Sequence, residues 1–258
     1  AASRGRIRSP ASVAHGAAAL ALALAGGRAA FGQETVAARD FTLTPALRQY
    51  ERQEISFAVA PSFSNPYDPD VIRIDAVFSS PTGREQRVPA FYWEAFNPYT
   101  NSRGTDSGWK VRFTPVEVGT YLVRLTSRLP AGESTALGTL SFQCAPGART
   151  GFVKRSGRGF ALEDGTAFLP IGANRCWGDS TAPERYLGDM ERLAAAGANC
   201  LRIWLAPWWQ NIESEPGRYD QGGAALLDAV TAKAEALGLK LMLCIEQHGN
   251  LQPDGAEI

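Results

Sequence analysis

Histidine is nearly missing from this chain: 258 residues contain only His15 and His248. An imidazole-rich metal site needs several such ligands brought together, so no metal is implied. Four cysteines, Cys144, Cys176, Cys200 and Cys244, show no CxxC spacing, which leaves out zinc ribbons and thioredoxin-type redox pairs. Three of them lie on or beside apolar runs, where buried free thiols are the better account than a disulfide. No GxGxxG follows a strand-like run, so a dinucleotide has no cradle and no cofactor is implied. Net charge is missing as well, since 26 basic residues balance 26 acidic ones. Phosphate binding wants clustered Lys and Arg, so nucleic acid is not an expected partner. What remains is an ordinary globular composition, 45% hydrophobic, 10% aromatic and 20% charged. It excludes a disordered acidic or basic tail, a collagen-like chain and a disulfide-dense miniprotein. At about 100–200 residues per domain, the length suggests one or two domains.

The charge is uneven. Residues 1–32 hold Arg4, Arg6, Arg8 and Arg28 and no acid. Without those four, 22 basic residues face 26 acidic ones, a balance of −4. The basic stretch precedes the short apolar run AAALALALA at 17–25, and Ala30-Phe31-Gly32 follows as a small-x-small cleavage pattern. The run is too short for a bilayer, which takes about 20 apolar residues. The alternative is a disordered Ala-rich tail. The expectation is a signal peptide at 1–32, cleavage near Gly32, a secreted or periplasmic product and no stable membrane insertion afterwards. N-terminal sequencing of exported material should find the new terminus there.

From about 41 to 144 the pattern is all-β, with alternating runs at 55–60, 71–78, 87–93, 109–113, 120–125 and 137–142. Ile72, Ile74, Ala76 and Phe78 share one face of such a run while Arg73 and Asp75 take the other, the period-two mark of a sheet with one wet side. Turn formers separate the runs, among them Ser80-Pro81-Thr82-Gly83 and Asn101-Ser102-Arg103-Gly104. Six or seven short strands over about 100 residues suggest an immunoglobulin-like sandwich. Tyr121, just after a Gly119 turn, fits a tyrosine corner whose hydroxyl bonds back to that turn. Phe91, Tyr92, Trp93, Phe96 and Tyr99 form either a sugar-stacking platform or, preferably, core and interdomain packing.

After a linker at 145–151 the pattern changes. Asp164-Gly165 between two apolar runs signals a two-residue hairpin turn. Apolar runs at 168–172, 200–205 and 240–245 then alternate with helical patterns. Tyr186, Leu187, Met190, Leu193 and Ala194 recur at helical spacing behind a capping box at Thr181 and Glu184, and a second helix covers 224–237. This order predicts parallel strands with right-handed crossovers, in an open sheet or a closed barrel. Polar and aromatic residues gather just after each run. Asn174, Arg175 and Trp177 follow the first, Arg202, Trp204, Trp208 and Trp209 mark the second, and Glu246, His248 and Asn250 follow the third. Indole faces stack on sugar rings, and Arg, His and Asn bond hydroxyls, so the residue types suit a carbohydrate.

Residues 168–250 resemble the opening of the cellulase-like glycoside hydrolases of clan A, through FLPIGANRCW, GANCLRIWLAPWW, PGRYD and LKLMLCIEQHGN. Residues 46–144 resemble the immunoglobulin-like domain of unknown function that precedes many such enzymes, through SNPYDPD, VPAFYWEAF and WKVRFTPVEVGTYLVRLTS. After the expected signal peptide at 1–32, the resemblance implies a sandwich at 33–147 and the first three β/α units of a (β/α)8 TIM barrel at 148–258. It implies that Arg202 supports a nucleophilic carboxylate and that His248 touches the sugar beside the scissile bond. Asn174, Trp177, Trp204, Trp208 and Asn250 would line the sugar site. Arg202 could instead be a structural ion-pair residue and His248 a loop cap.

Glycoside hydrolysis needs two carboxyl groups, about 5–5.5 Å apart in retaining enzymes. The resemblance places that Glu pair after a fourth and a seventh barrel strand, and the chain ends at Ile258, just past the third. None of Asp179, Glu213, Glu215 and Glu246 is assigned either role. The expectation is therefore the front part of an exported hydrolase of poly- or oligosaccharides, retaining in mechanism, with its catalytic pair beyond this chain. The alternatives are a noncatalytic carbohydrate-binding or adhesion protein that uses the sandwich, and an enzyme acting on something other than glycosides. Sugar, linkage and oligomeric state are not encoded legibly.

Overall fold

The structure is a computed structural model and describes residues 35–130, 132, 134–215 and 217–245. Its first nine strands are β1 (Ala37–Thr42), β2 (Ala46–Arg48), β3 (Gln53–Ala60), β4 (Arg73–Ser79), β5 (Glu85–Pro89), β6 (Phe91–Asn97), β7 (Ser102–Phe113), β8 (Gly119–Arg128) and β9 (Ser134–Ala145). They form two sheets, in the orders β1-β3-β7-β6 and β2-β9-β8-β4-β5. All pairings are antiparallel except that of β2 with β9.

Period-two alternation explains why the sheets face each other. In β7, Trp109, Val111 and Phe113 are buried while Lys110 and Arg112 lie on the other face. In β4, Ile74, Ala76 and Phe78 turn inward. Both inner faces contribute to one core. Phe78 of one sheet stacks on Phe113 of the other with ring centroids 4.1 Å apart, and Phe142 stacks on Tyr121 at 5.1 Å. The Tyr121 hydroxyl accepts from the backbone N–H of Glu117 at 2.8 Å and of Val116 at 3.2 Å. This is the bond back to the turn that the sequence suggests.

The remaining strands are short. β10 (Val153–Ser156), β11 (Gly159–Leu162) and β12 (Ala167–Phe168) make an antiparallel sheet. β13 (Gly172–Asn174), β14 (Cys200–Trp204) and β17 (Lys240–Cys244) make a parallel one, and β15 (Glu213–Glu215) pairs with β16 (Arg218–Tyr219). Two helices complete the described residues, α1 (Pro183–Ala195) and α2 (Gln221–Leu237). They pack on the parallel sheet through Tyr186, Leu187, Met190, Leu226 and Val230, against Leu201 and Ile203. No helix among the described residues is long and apolar enough to cross a membrane.

The expected class, an immunoglobulin-like sandwich followed by three β/α units of a TIM barrel, is overturned. The described residues hold seventeen strands in five separate sheets against only two helices. The three parallel strands span three to five residues each and form an open sheet. The expected first barrel strand at 168–172 does not exist as one element. Pro170 has no N–H to give a ladder, so β12 ends before it, in the antiparallel sheet, and β13 starts after it.

Other differences are local. The run at 87–93 is two strands on different sheets, because the chain crosses between them after Pro89. The capping box at Thr181 is not formed. The N-cap is Ala182 without a side-chain bond, Pro183 takes the first helical turn, and the Thr181 hydroxyl donates to Asp179 instead. The Asp164-Gly165 turn is closed by Leu162 and Thr166, one residue longer than expected, with Gly165 at φ +91°. α2 begins three residues early, at Gln221, because the Asp220 carboxylate accepts from the N–H groups of Gly222 and Gly223. All four cysteines are free thiols.

The outward face of β7 meets α2. The Arg112 guanidinium donates two bonds of 2.7 Å to Asp228 on α2 and a third of 2.7 Å to Glu54 on β3. Lys110 donates to the same Glu54 at 2.7 Å. Burial pushes the Glu54 carboxyl up, but the Lys110 and Arg112 hydrogen bonds outweigh it and hold the group below the ordinary glutamate range. Its contribution is therefore full at neutral pH and is lost as pH falls through that depressed value. Gln221 adds a bond to the Tyr67 hydroxyl at 3.0 Å, and Arg149 pairs with Glu235. Arg112→Met should cost about 1–2 kcal/mol, the lower part of the range for charge-assisted bonds because the groups are only half buried. Urea unfolding of Arg112→Met, Asp228→Asn and the double variant should show clear non-additivity.

Candidate functional site

Register in the parallel sheet decides which side chains meet. Asn174 pairs with Arg202, Arg202 with Met242, and Trp204 with Cys244. The ladder runs past the strand ends, with the Trp204 N–H donating to the Cys176 carbonyl and the Leu205 N–H to the Cys244 carbonyl. Arg202 and Trp204 alternate with buried Leu201 and Ile203, so both leave the helix-covered face. The Arg202 guanidinium carbon lies 5.1 Å from the Trp204 ring centroid, and its Nε donates to the Cys244 sulfur at 3.2 Å.

Three indoles continue from this point. Trp177 lies 5.4 Å from Trp204, tilted by 56°, and 5.6 Å from Trp208, edge to face at 90°. Trp177 and Trp208 are 40% and 44% exposed, so part of each indole is accessible to a ligand. Asn174 is exposed beside them and its side-chain oxygen accepts from the Cys176 thiol at 2.9 Å. Burial pushes that thiol up, with Arg202 opposing, so it stays neutral near pH 7. Arg202, Trp177, Trp204, Trp208 and Asn174 thus occupy one end of one small sheet. His248 and Asn250 lie outside the described residues. Among the described residues no group of three His, Cys, Asp or Glu side chains could hold a metal ion.

Neighbouring candidates do different work. Arg175 is held by Asp189 at 2.8 Å and lies over the Tyr186 ring. Trp209, next to exposed Trp208, is only 1% exposed and packs 4.8 Å from Tyr186. A tight turn makes this difference. The N–H and carbonyl groups of Ala206 and Trp209 bond reciprocally at 2.8 and 2.9 Å, with Pro207 at the corner. Trp208 is thrown outward and Trp209 inward.

Of the aromatic residues at 91–99, Tyr92 and Trp93 are engaged by neighbouring side chains, whereas Tyr99 lies beyond β6 and is exposed. Tyr92 sits edge-on to Tyr67 and Trp109, and Trp93 carries the Lys110 ammonium 3.8 Å from its centroid. These rings border a groove of about 720 Å³ beside α2, away from the three indoles. A smaller cavity of about 450 Å³ adjoins Trp208 and reaches Tyr99 and Gln210, neither of which sequence patterning marks as part of the indole site.

Residues 46–128 match the model of a family described as a domain of unknown function, DUF5060. No curated protein matches the chain. Among solved structures the chain is similar to a protein of Bacteroides vulgatus ATCC 8482 assigned to the glycoside hydrolases, at 21% identity and a TM-score of 0.59. That likeness covers 78% of this chain and 41% of the other, so the chain spans well under half of its neighbour's length, and it is a likeness of fold alone. A purple acid phosphatase, PPD1, from yellow lupin (Lupinus luteus) matches at 15% identity and a TM-score of 0.31, over 80% of this chain and 34% of that one. A Bacteroides ovatus GH5 xyloglucanase in complex with a XXXG heptasaccharide matches at 12% identity and 0.21, over 79% and 45%. At those two scores the similarity carries no argument.

The split between adjacent indoles is directly measurable. Trp209→Ala should cost about 3–5 kcal/mol, as for other large core truncations. Trp208→Ala should stay within about 1 kcal/mol. Chemical denaturation of the two variants checks both values.

Proposed function

We propose that this chain is part of an exported glycoside hydrolase-like protein, with the indole cluster as its saccharide-binding platform. In this reading 1–32 is the export segment, and 33–147 and 148–258 are the two domains. The observation that carries it is the pair of partly exposed indoles, Trp177 and Trp208, set at 90° beside an arginine and an exposed asparagine. Pyranose rings have apolar C–H faces and an equatorial belt of hydroxyls. Ring faces cover the first, and Arg202 and Asn174 can bond the second. The fold likeness to a protein assigned to the glycoside hydrolases supports the same direction.

The described residues then supply binding and positioning. Arg202 is a positioning residue for a carboxylate, and His248 and Asn250 would extend the site. Hydrolysis itself would proceed by retention through two carboxyl groups that we do not assign to this chain.

The test is titration calorimetry with cello-, xylo- and manno-oligosaccharides. Covering one aromatic face is worth about 1–2 kcal/mol, so Trp177→Ala should weaken binding about five- to thirtyfold with an unchanged melting temperature. Wild-type protein that binds none of the three series, or a Trp177→Ala variant that binds as wild type does, overturns the proposal.

A further inference from the structure

The cavity of about 450 Å³ is built from both halves of the chain. One wall is the β6–β7 turn, with Tyr99 and Asn101; the other is the segment from Pro207 to Asn211 and the start of α2. Its size falls within the range of small-molecule sites, about 300–1,000 Å³. Trp208 belongs to this cavity and to the indole cluster, so the two adjoin at this ring.

Gln210 lines the cavity and is only 2% exposed. Among the described residues, neither its side-chain oxygen nor its side-chain nitrogen has a hydrogen-bond partner. The indole N–H of adjacent Trp209 is likewise buried without one. Each such group costs about 1–3 kcal/mol if left unmet. Gln210 also stands at φ +51°, a left-handed conformation uncommon for glutamine. Costly buried amides and strained backbone together concentrate at ligand sites. An amide with one donor and one acceptor side suits a sugar hydroxyl, which both gives and takes a hydrogen bond.

We propose that this cavity is a distal saccharide subsite, in which Gln210 meets the hydroxyls of a sugar unit and Tyr99 of the first domain forms the outer wall. The inference rests on the saccharide-platform reading and deepens it. A chain lying on Trp177 and Trp208 extends past Trp208 into the cavity, so the site prefers longer oligosaccharides. The sandwich half takes part in recognition through Tyr99, which is 53% exposed and whose ring is not needed for the core.

The experiment compares the disaccharide and the hexasaccharide of each of the cello-, xylo- and manno- series on the full chain. Wild type should bind a hexasaccharide at least tenfold more tightly than its disaccharide. Gln210→Met, close in shape but without the amide, should lose about three- to tenfold for the hexasaccharide and nothing for the disaccharide, with a melting temperature equal to wild type or higher. Tyr99→Ala should act the same way and needs no buried change. If wild type binds no oligosaccharide, the platform reading fails and takes the subsite with it. If wild type binds and Trp177→Ala weakens binding while Gln210→Met and Tyr99→Ala leave hexasaccharide affinity unchanged, the subsite alone is refuted. A lowered melting temperature for Gln210→Met with unchanged affinities would likewise show the amide to be structural.

Discussion

Arg112 holds the molecule's two halves in register. Its guanidinium is planar, permanently charged and bidentate, so it can take Asp228 of α2 on one edge and Glu54 of β3 on another. A lysine in its place would make a point contact and fix no angle. Because β7 alternates, the residues that build the inner core also turn Arg112 and Lys110 toward the helix. One strand thus serves the core with one face and the junction with the other. Gly223 sharpens the fit, since a Cβ there would lie 2.2 Å from the Asn211 carbonyl. The helix start is pressed directly onto the loop that carries Trp208, Trp209 and Gln210.

Legibility in the sequence followed the strength of the local signal. Ile72, Ile74, Ala76 and Phe78 alternate without interruption, and they are buried together as the pattern requires. Tyr121 was readable because glycine, tyrosine and strand follow each other directly. The crossing between β5 and β6 was not, because 87–93 is a continuous β-like run and only the tertiary fold assigns its halves to different sheets. Two further misses share one cause, a proline. Pro170 splits what looks like a strand, and Pro183 in the first helical turn moves the cap off Thr181.

The candidate site was half legible. Arg202 and Trp204 sit two apart on a strand, so period two alone puts them on one face, and the guanidinium does lie over the ring. Trp208 and Trp209 could not be separated by pattern, because the Ala206–Trp209 turn that orients them has no strong sequence signature beyond Pro207. Gln210 carried no signal at all. Its meaning comes from what is absent around its amide, which is a property of the packed structure. The barrel failed for a related reason. Helical spacing and apolar runs report local structure, whereas closure depends on how far a sheet extends.

The cavity beside Trp208 takes its walls from chain positions more than a hundred residues apart. The hollow therefore exists only while the sheets and the helix are docked, and a partial hinge opening would erase it before melting either core. Any occupant would act as a rivet across the seam, tying ligand uptake to the mechanical integrity of the whole assembly.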